Sequence, residues 1–346
     1  MTPNGDPFLP GPTFAAPYHL AGDPAESEFT YGRYGNPTWR DYERAVGELE
    51  GGEALVFGSG MGAVTTLLLA LLEPGDRIVI PSDAYFTVRT LANELLPYEV
   101  HEVPTDTAAF VAAAPEAKLV WVETPSNPGL DVVDIRAVAD ASDATLVVDN
   151  TLATPRGQRP LALGADYVMA SASKAITGHS DLILGYVAGP DLEAVGTARG
   201  VLGTVAGPFE VWLAHRSLAT LDVRLERQCA NALRLAELAR AHVPVRYPGL
   251  PDDPAHALAN AQMERFGPVL TFTMPSAAAA DVFFATAEKV TEATSFGGTR
   301  TTAERRARWG SDEVPEGLIR VSAGVEDGDA LAADVERALA TALERT

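Results

Sequence analysis

The sequence predicts an α/β protein in which a large, mostly parallel sheet is followed by a smaller α+β segment. Three observations carry this expectation. From residue 53 onward, short apolar runs alternate with helical patterns, the arrangement that builds a parallel sheet covered on both faces. A long amphipathic stretch over residues 225–242 ends at Pro244, and the alternation stops there. The length of 346 residues suits about two domains at roughly 150 residues each.

The elements follow in order. The residues ahead of the first apolar run are rich in Pro, Gly and aromatics, show no sustained period, and read as an extended arm. Strands are expected over residues 53–57, 77–80, 119–123, 145–149, 167–170 and 182–188. Helices are expected over residues 61–72, closed by Pro74 and Gly75, over 86–96, and briefly after Asp134. Beyond a boundary near residue 225, a strand over 269–274 and a closing helix over 330–343 make up the smaller segment.

Composition narrows the function. The chain is 47% apolar and 21% charged, ordinary for a globular protein and unlike a disordered one. A net charge of −21 repels phosphate backbones and anionic bilayers, so neither nucleic acid nor a membrane is expected as a partner. Any bound phosphate must then be held by local backbone N–H groups and a few placed side chains. The single cysteine, Cys229, leaves no internal disulfide and no Cys-rich metal site, and no metal is expected. Residues 1–20 lack a basic start followed by an apolar core, and no apolar run approaches the ~18 residues of a membrane span. The expectation is a cytoplasmic protein. Among 26 basic residues the lysines are Lys118, Lys174 and Lys289, so chemistry that needs a primary amine has few candidates.

Gly58-Ser59-Gly60-Met61-Gly62-Ala63 follows a strand and opens a helix, leaving N–H groups free for an anion. It also matches the dinucleotide fingerprint, with Asp83 about 20 residues on, where a ribose-binding carboxylate would sit. Two readings compete at that point, a dinucleotide fold and another phosphate-bearing cofactor. Ser171-Ala172-Ser173-Lys174 decides between them, because two hydroxyls that can share a phosphate flank an amine that can reach a carbonyl. The strand 145–149 ends in Asp149, and in a pyridoxal phosphate (PLP) site an Asp paired with the ring nitrogen keeps the ring able to accept electrons. NAD binding does not call for the lysine.

These residues, and others in sequence with them, resemble the cystathionine γ-synthase and γ-lyase family of PLP enzymes, the Cys/Met metabolism group of fold type I. The resemblance rests on Tyr31-Gly32-Arg33 with Asn36-Pro37-Thr38, Leu49-Glu50-Gly51-Gly52 and Ser59-Gly60-Met61. Glu123-Thr124-Pro125-Ser126-Asn127-Pro128, Val148-Asp149-Asn150-Thr151, Ser171-Ala172-Ser173-Lys174 and Gly178-His179-Ser180-Asp181 come next. Pro208-Phe209-Glu210, Ser295-Phe296-Gly297-Gly298 and Leu318-Ile319-Arg320-Val321-Ser322 complete the order.

The resemblance implies a role for each matched residue. Lys174 would carry the cofactor on its amine and then shuttle protons, and Asp149 would pair with the ring nitrogen. Gly60 and Met61 by backbone, with Ser171 and Ser173 by hydroxyl, would hold the phosphate. Tyr31 and Arg33 would clamp the cofactor phosphate of a neighbouring subunit. Tyr85 would stack on the ring and assist the leaving group, with Asn127 near the ring hydroxyl. Arg320 would fork onto the substrate α-carboxylate with Ser295 beside it. The implied organisation is an arm over residues 1–45, a PLP-binding domain over 46–225 and a substrate domain over 226–346, in a dimer with shared sites or a tetramer of two such dimers.

Other residues receive plainer readings. His179 is expected to be a buried structural histidine, Arg305, Arg306 and Arg308 a solvated helix face, and Cys229 a small buried side chain. The family pattern is broken at Tyr85-Phe86-Thr87 and over residues 303–309, and Arg89 sits one residue out of register with a family arginine near the distal carboxylate. Arg300 stands where the family carries Glu, so it is a candidate for distal-group selection, unless it turns outward to pair with Glu304.

The expected activity is PLP-dependent γ-elimination on cystathionine or a related sulfur amino acid, as in cystathionine γ-lyase. The second reading is γ-replacement by a cystathionine γ-synthase or an O-acylhomoserine sulfhydrylase. From other classes, a non-catalytic PLP-fold binding protein and an NAD-dependent oxidoreductase remain as alternatives.

Overall fold

The computed structural model describes residue 5 and residues 7–345; residues 1–4 and 6 of the expected arm lie outside the described residues. After a short 3₁₀ turn, Pro24–Glu26, the first α-helix is α1 (Pro37–Glu50), with Asn36 as its cap and Pro37 in its first turn. Strand β1 (Glu53–Phe57) leads through Ser59, whose side chain accepts from the Gly62 N–H, into α2 (Gly60–Leu71). There follow β2 (Arg77–Pro81), α3 (Phe86–Thr90), β3 (Glu99–Val103), α4 (Thr107–Ala113), β4 (Leu119–Glu123), α5 (Ile135–Ala139) and β5 (Thr145–Asp149). Next are β6 (Tyr167–Ala170), β7 (Gly185–Gly189), α6 (Glu193–Leu202), α7 (Pro208–Leu218) and α8 (Leu221–Ala239). The remainder is β8 (Val245–Arg246), α9 (His256–Gln262), β9 (Val269–Thr273), α10 (Ala277–Thr286), β10 (Thr291–Glu292), β11 (Thr302–Arg305), β12 (Leu318–Ser322) and α11 (Gly328–Glu344).

The first seven strands form one sheet in the order β1-β7-β6-β5-β4-β2-β3. All its pairings are parallel except those of β7, which runs antiparallel to both β1 and β6. Both faces of its centre are covered, and β4 is buried at every residue, which is why its sequence is a continuous apolar run rather than an alternation. Because only β7 is reversed, the C-terminal ends of β1, β4, β5 and β6 all point to one edge. In open sheets of this kind ligands bind at that edge.

The second sheet, β10-β11-β12-β9-β8, lies later in the chain. Helix α8 serves both halves. Its Leu221 and Leu225 pack with Val211, Ala214 and Tyr186 of the first half, while Ala232, Leu235, Ala236 and Ala239 pack with Phe272, Phe283 and Leu339 of the second.

The strands read from sequence lie where expected, with instructive shifts. Residues 182–184 fall outside β7 because the Leu184 backbone is taken by Ser173, whose Oγ accepts from Leu184 N (3.0 Å) and donates to Leu184 O (3.1 Å). The helix at 86–96 continues past α3 as a π-helical turn, Leu91–Leu95. Residues 37–45, read as part of the arm, belong to α1, where Trp39, Tyr42 and Val46 are buried against the sheet.

The start of β7 fixes how close the first two turns of the site approach. A Cβ added at Gly185 would lie 2.5 Å from the Ser59 carbonyl oxygen and 2.8 Å from the Gly60 nitrogen. Gly185→Ala should therefore cost about 1–3 kcal/mol of stability, since backbone rather than a side chain must move. Gly196→Ala, in the interior of α6 with its nearest neighbour at 3.5 Å, should instead gain about 0.5–1 kcal/mol. Denaturant midpoints of the two variants check the contrast.

Candidate active site

A cavity of about 550 Å³ opens at the edge where the strand ends converge. Glu123 is the last residue of β4 and Asp149 the last of β5, paired in register across the parallel ladder, and Ser171 follows β6. Two carboxyl groups at adjacent strand ends, both buried, cannot both carry charge at low cost. Burial, then Asp149, raises the Glu123 carboxyl well above its ordinary range, and Glu123 Oε2 accepts from the Tyr85 N–H (2.9 Å). Burial raises Asp149 as well, against the Thr151 hydrogen bonds and the Lys174 charge, which lower it.

Lys174 sits on the loop between β6 and β7, at the same edge. Its ammonium donates to Ser295 Oγ (2.8 Å) and lies 5.2 Å from the centre of the Phe296 ring. Burial, then Arg320, pulls it down to about 8, so near neutral pH part of the population is the free, nucleophilic amine. Lys118 and Lys289 are exposed and far from such an environment. The turn after Lys174 is held by buried Arg224, which donates to the Ala175 (2.8 Å) and Ile176 (3.0 Å) carbonyls.

The glycine-rich turn lies between a strand and a helix, where the sequence places it. Gly60 and Met61 begin α2, and their N–H groups have no hydrogen-bond partner among the described residues. Gly60 packs so tightly on Ser171 that an added Cβ would meet the serine Cβ at 3.0 Å. Ser171 and Ser173 both line the cavity, but the Ser173 hydroxyl proton goes to Leu184 O, so it can reach an anion only by rotating.

The opposite wall comes from the second sheet. Arg320 on β12 lies directly across the antiparallel ladder from Glu304 on β11. Its Nη1 donates to Asn127 Oδ1 (2.8 Å), and its Nη2 to Ser295 O (3.1 Å) and Glu304 Oε2 (3.0 Å). Burial lowers Arg320 to about 10, with Arg306 the next cause. Ser295 thus contacts Lys174 through its hydroxyl and Arg320 through its carbonyl. It does so with φ +77°, a left-handed conformation that costs a non-glycine residue roughly 1–3 kcal/mol and is found most often at functional sites. Tyr85 is 42% exposed and lines the cavity, its ring edge against Phe86.

Several residues assigned from sequence are not brought into this cavity. Tyr31 and Arg33 do not line it, and Arg33 donates to the Gly200 carbonyl (2.7 Å) beside the Tyr34 ring. Arg300 is exposed, outside the cavity lining, and makes no ion pair among the described residues. The expected Arg300–Glu304 pair does not form, because Glu304 is fully buried and bonded to Arg306, Arg308, Arg320 and Trp309. Asp83 is taken by Thr105 and is absent from the lining, which removes the ribose-binding reading. His179 bonds to the Thr177 carbonyl but is exposed rather than buried. Cys229 is half-buried, its thiol pushed up to about 11 by burial, and is inert.

Arg306 overturns its assignment to a solvated helix face. It is 7% exposed, lines the cavity, and bonds Glu304 Oε2 (2.8 Å) and Asp312 Oδ2 (2.9 and 2.5 Å). The segment enters as strand β11, which ends at Arg305, and Arg306 opens the 3₁₀ turn that follows, Arg306–Trp309, from which its guanidinium reaches Glu304. Strand alternation stops at residue 305, so no period in the sequence finds Arg306. Glu123 gives no signal either, since a strand-terminal carboxylate reads equally well as a cap.

These residues fit a phosphorylated pyridine aldehyde. Two N–H groups at a helix N-terminus without a partner among the described residues suit its phosphate, an amine of lowered basicity suits its aldehyde, and a buried carboxyl that makes no ion pair among the described residues suits its ring nitrogen. Fold and site together define a class, the α/β enzymes that hold PLP on a lysine. The chain belongs to the Cys/Met metabolism PLP-dependent enzyme family, which matches residues 13–340. It is 52% identical to a Streptomyces coelicolor protein named "Putative cystathionine gamma-lyase", over 96% of this chain and 89% of the relative. It is 38% identical to the cystathionine γ-synthase of Mycobacterium tuberculosis, over 90% of this chain and 86% of that one. A cystathionine γ-synthase from Xanthomonas oryzae, solved in complex with cystathionine, superposes with a TM-score of 0.92 at 34% identity, covering 98% of this chain and 94% of that one.

The lowered Lys174 basicity has a measurable consequence. Only the free amine attacks an aldehyde, so the initial rate at which cofactor-free protein takes up PLP should climb with pH and level off above about pH 8. A rate still climbing at pH 10 would mean that Lys174 keeps the basicity of a solvated lysine.

Proposed function

We propose that the protein is a PLP-dependent carbon–sulfur lyase that performs γ-elimination on cystathionine or a related sulfur amino acid, as a cystathionine γ-lyase does. The observation that carries this reading is the Lys174–Ser295–Arg320 chain of contacts. An amino acid whose α-carboxylate forks onto Arg320 brings its Cα–H toward the Lys174 amine. When bound, the cofactor supplies an electron sink for the pair left at Cα.

The residues of the chain divide the remaining work. Lys174 anchors the cofactor, takes the Cα proton, and returns protons along the substrate chain. Asp149 holds the ring nitrogen in its protonated state. The Gly60 and Met61 N–H groups, with Ser171 and Ser173, hold the phosphate. Tyr85, positioned through its N–H by Glu123, would stack on the cofactor and assist the departing group. Asn127, which accepts from Arg320, would serve the cofactor hydroxyl. In this reading residues 46–225 bind the cofactor and 226–346 complete the substrate side. The protein works in the cytoplasm, where its lone thiol stays reduced.

A second reading, γ-replacement as in a cystathionine γ-synthase or an O-acylhomoserine sulfhydrylase, is favoured by the Mycobacterium and Xanthomonas relatives. A substrate panel separates the two. Under elimination, cystathionine and water give cysteine, 2-oxobutanoate and ammonia. Under replacement, an O-acylhomoserine plus a thiol gives the thioether faster than 2-oxobutanoate appears. In either case Asp149→Asn should retain cofactor while turnover falls about 10²-fold or more, because the ring loses the charge that keeps it electron-accepting. Near-normal turnover would detach Asp149 from the ring.

The arm supports an assembly proposal. Tyr31 and Arg33 lie outside this chain's cavity, with Tyr31 exposed, as expected if they serve a neighbour's phosphate in a dimer, two of which would form a tetramer. Mixing inactive Arg33→Ala and Lys174→Ala subunits should then restore activity at one site per hybrid dimer. Confirmed subunit exchange without recovery would place the arm's action in its own chain.

A further inference from the structure

The lining of the cavity divides by depth. Its charged residues, Glu123, Asp149, Lys174, Arg306 and Arg320, lie inside, and none of them is exposed. Its exposed residues, Tyr85, Phe86, Ile183, Thr294, Ser295 and Trp309, form the mouth, and none of them is charged. Three are large apolar side chains open to solvent, Phe86 at 46%, Trp309 at 57% and Ile183 at 70% exposure. Clustered exposed apolar surface at the edge of a cavity is characteristic of a ligand site.

Separate contacts hold two of these side chains at the opening. Trp309 lies in the 3₁₀ turn after β11, where its Nε1–H donates to Glu304 Oε1 (2.6 Å) and the Arg308 guanidinium lies 5.2 Å from its ring centre. Phe86 begins α3, its ring edge-on to that of Tyr85 at 5.0 Å. Arg89, one turn further along α3, donates through Nη2 to the Ser311 carbonyl (2.6 Å), just past Trp309. The helix that carries Phe86 and the turn that carries Trp309 are thereby tied together. An amino acid held at Arg320 has its far end directed outward to them, since buried Glu123, Asp149 and Met169 close the inner side. Nothing there answers a charge, because Arg306 and Arg320 are buried on Glu304 and Arg89 is committed to backbone. A hydrocarbon chain would instead cover apolar surface that water now wets.

We propose that Trp309 and Phe86 form an apolar subsite for the group carried on the substrate's sulfur, so that the cavity favours amino acids whose far end is an uncharged hydrocarbon chain. The inference rests on reading the cavity as an amino-acid site, and it narrows the substrate class of that site. Trp309 acts by contact with the far end and takes no part in proton transfer. It falls within residues 303–309, where the family pattern is broken, so the subsite belongs to this chain's own sequence rather than to the motifs it shares.

The test uses the PLP-loaded protein and amino acids without a leaving group, read by calorimetric titration. Along L-norvaline, L-norleucine, L-2-aminoheptanoate and L-2-aminooctanoate, affinity should rise about two- to threefold for each added methylene. L-2-Aminopimelate, which matches aminoheptanoate in length but ends in a carboxylate, should bind about fivefold more weakly than it, or worse. Trp309→Phe, which keeps apolar surface and loses the N–H, should retain the rise along the series. Trp309→Gln, which keeps an N–H donor and loses the surface, should cut it to about 1.3-fold or less per methylene. Phe86→Ala should cut it in part, an outcome that does not depend on residue 309 or its bond to Glu304. No dependence on chain length, tighter binding of aminopimelate, or an undiminished rise in either folded variant would overturn the subsite alone. Binding of none of these amino acids would overturn the amino-acid site itself.

Discussion

The site depends on one carboxylate that the solvent never reaches. Glu304 is 0% exposed and accepts from Arg306, Arg308, Arg320 and Trp309. Burial alone would raise its carboxyl, yet the Trp309 N–H, Arg320 and Arg306 together hold it below the ordinary range. Two guanidinium groups can be kept at a cavity wall only if a buried anion answers them. Removing one member of such a cluster costs about 3–5 kcal/mol, because its partners remain buried and uncompensated. The register of β11 against β12, which sets Glu304 opposite Arg320, is thus an electrostatic requirement as much as a packing one.

The strand-end edge of the large sheet works in the reverse sense. There the excess is of carboxyl groups, Glu123 beside Asp149, and burial disfavours charge on both. Each accepts hydrogen bonds that favour its charged form, Glu123 from the Tyr85 N–H and Asp149 from Thr151, but Asp149 alone also has the Lys174 charge acting in its favour, which makes it the carboxyl that ionises. Lys174 stands between the two walls, its charge disfavoured by burial and by Arg320 and favoured by Glu304 and Asp149. A chain with net charge −21 therefore lines this cavity with Lys174, Arg306 and Arg320 by local placement, against its overall field.

Much of this was legible in the sequence because it is local. The strands of the large sheet are short apolar runs, the helix caps sit beside them, and Ser171, Ser173 and Lys174 are almost adjacent. What was not legible depends on pairing across strands or on packing at a distance. Arg306 looked like part of a charged helix face because Arg305, Arg306 and Arg308 suit helical spacing, whereas the chain makes only a short 3₁₀ turn after β11 and sets Arg306 against Glu304 and Asp312. Arg300 was the conspicuous departure from the family pattern, yet the turn that precedes β11 directs it to solvent. Helix α1 was folded into the arm because Pro37 and the preceding aromatics mask a cap that Asn36 supplies through its side chain. Ser173 carries a constraint no motif shows, since its hydroxyl is already occupied by Leu184.

Two guanidinium groups of the cavity wall are coupled through a single oxygen atom. Arg320 comes from β12 and Arg306 from the turn after β11, and both bond Glu304 Oε2. Neither can be changed without altering the field and the hydrogen bonding of the other, since they share a partner and sit within mutual influence. Energies of substitutions at the two positions are then expected to be non-additive. Asp312 joins the cluster differently. It bonds Arg306, has no hydrogen bond to Arg320, and acts on that guanidinium through its charge alone, so its removal changes the field at Arg320 without removing a hydrogen bond there.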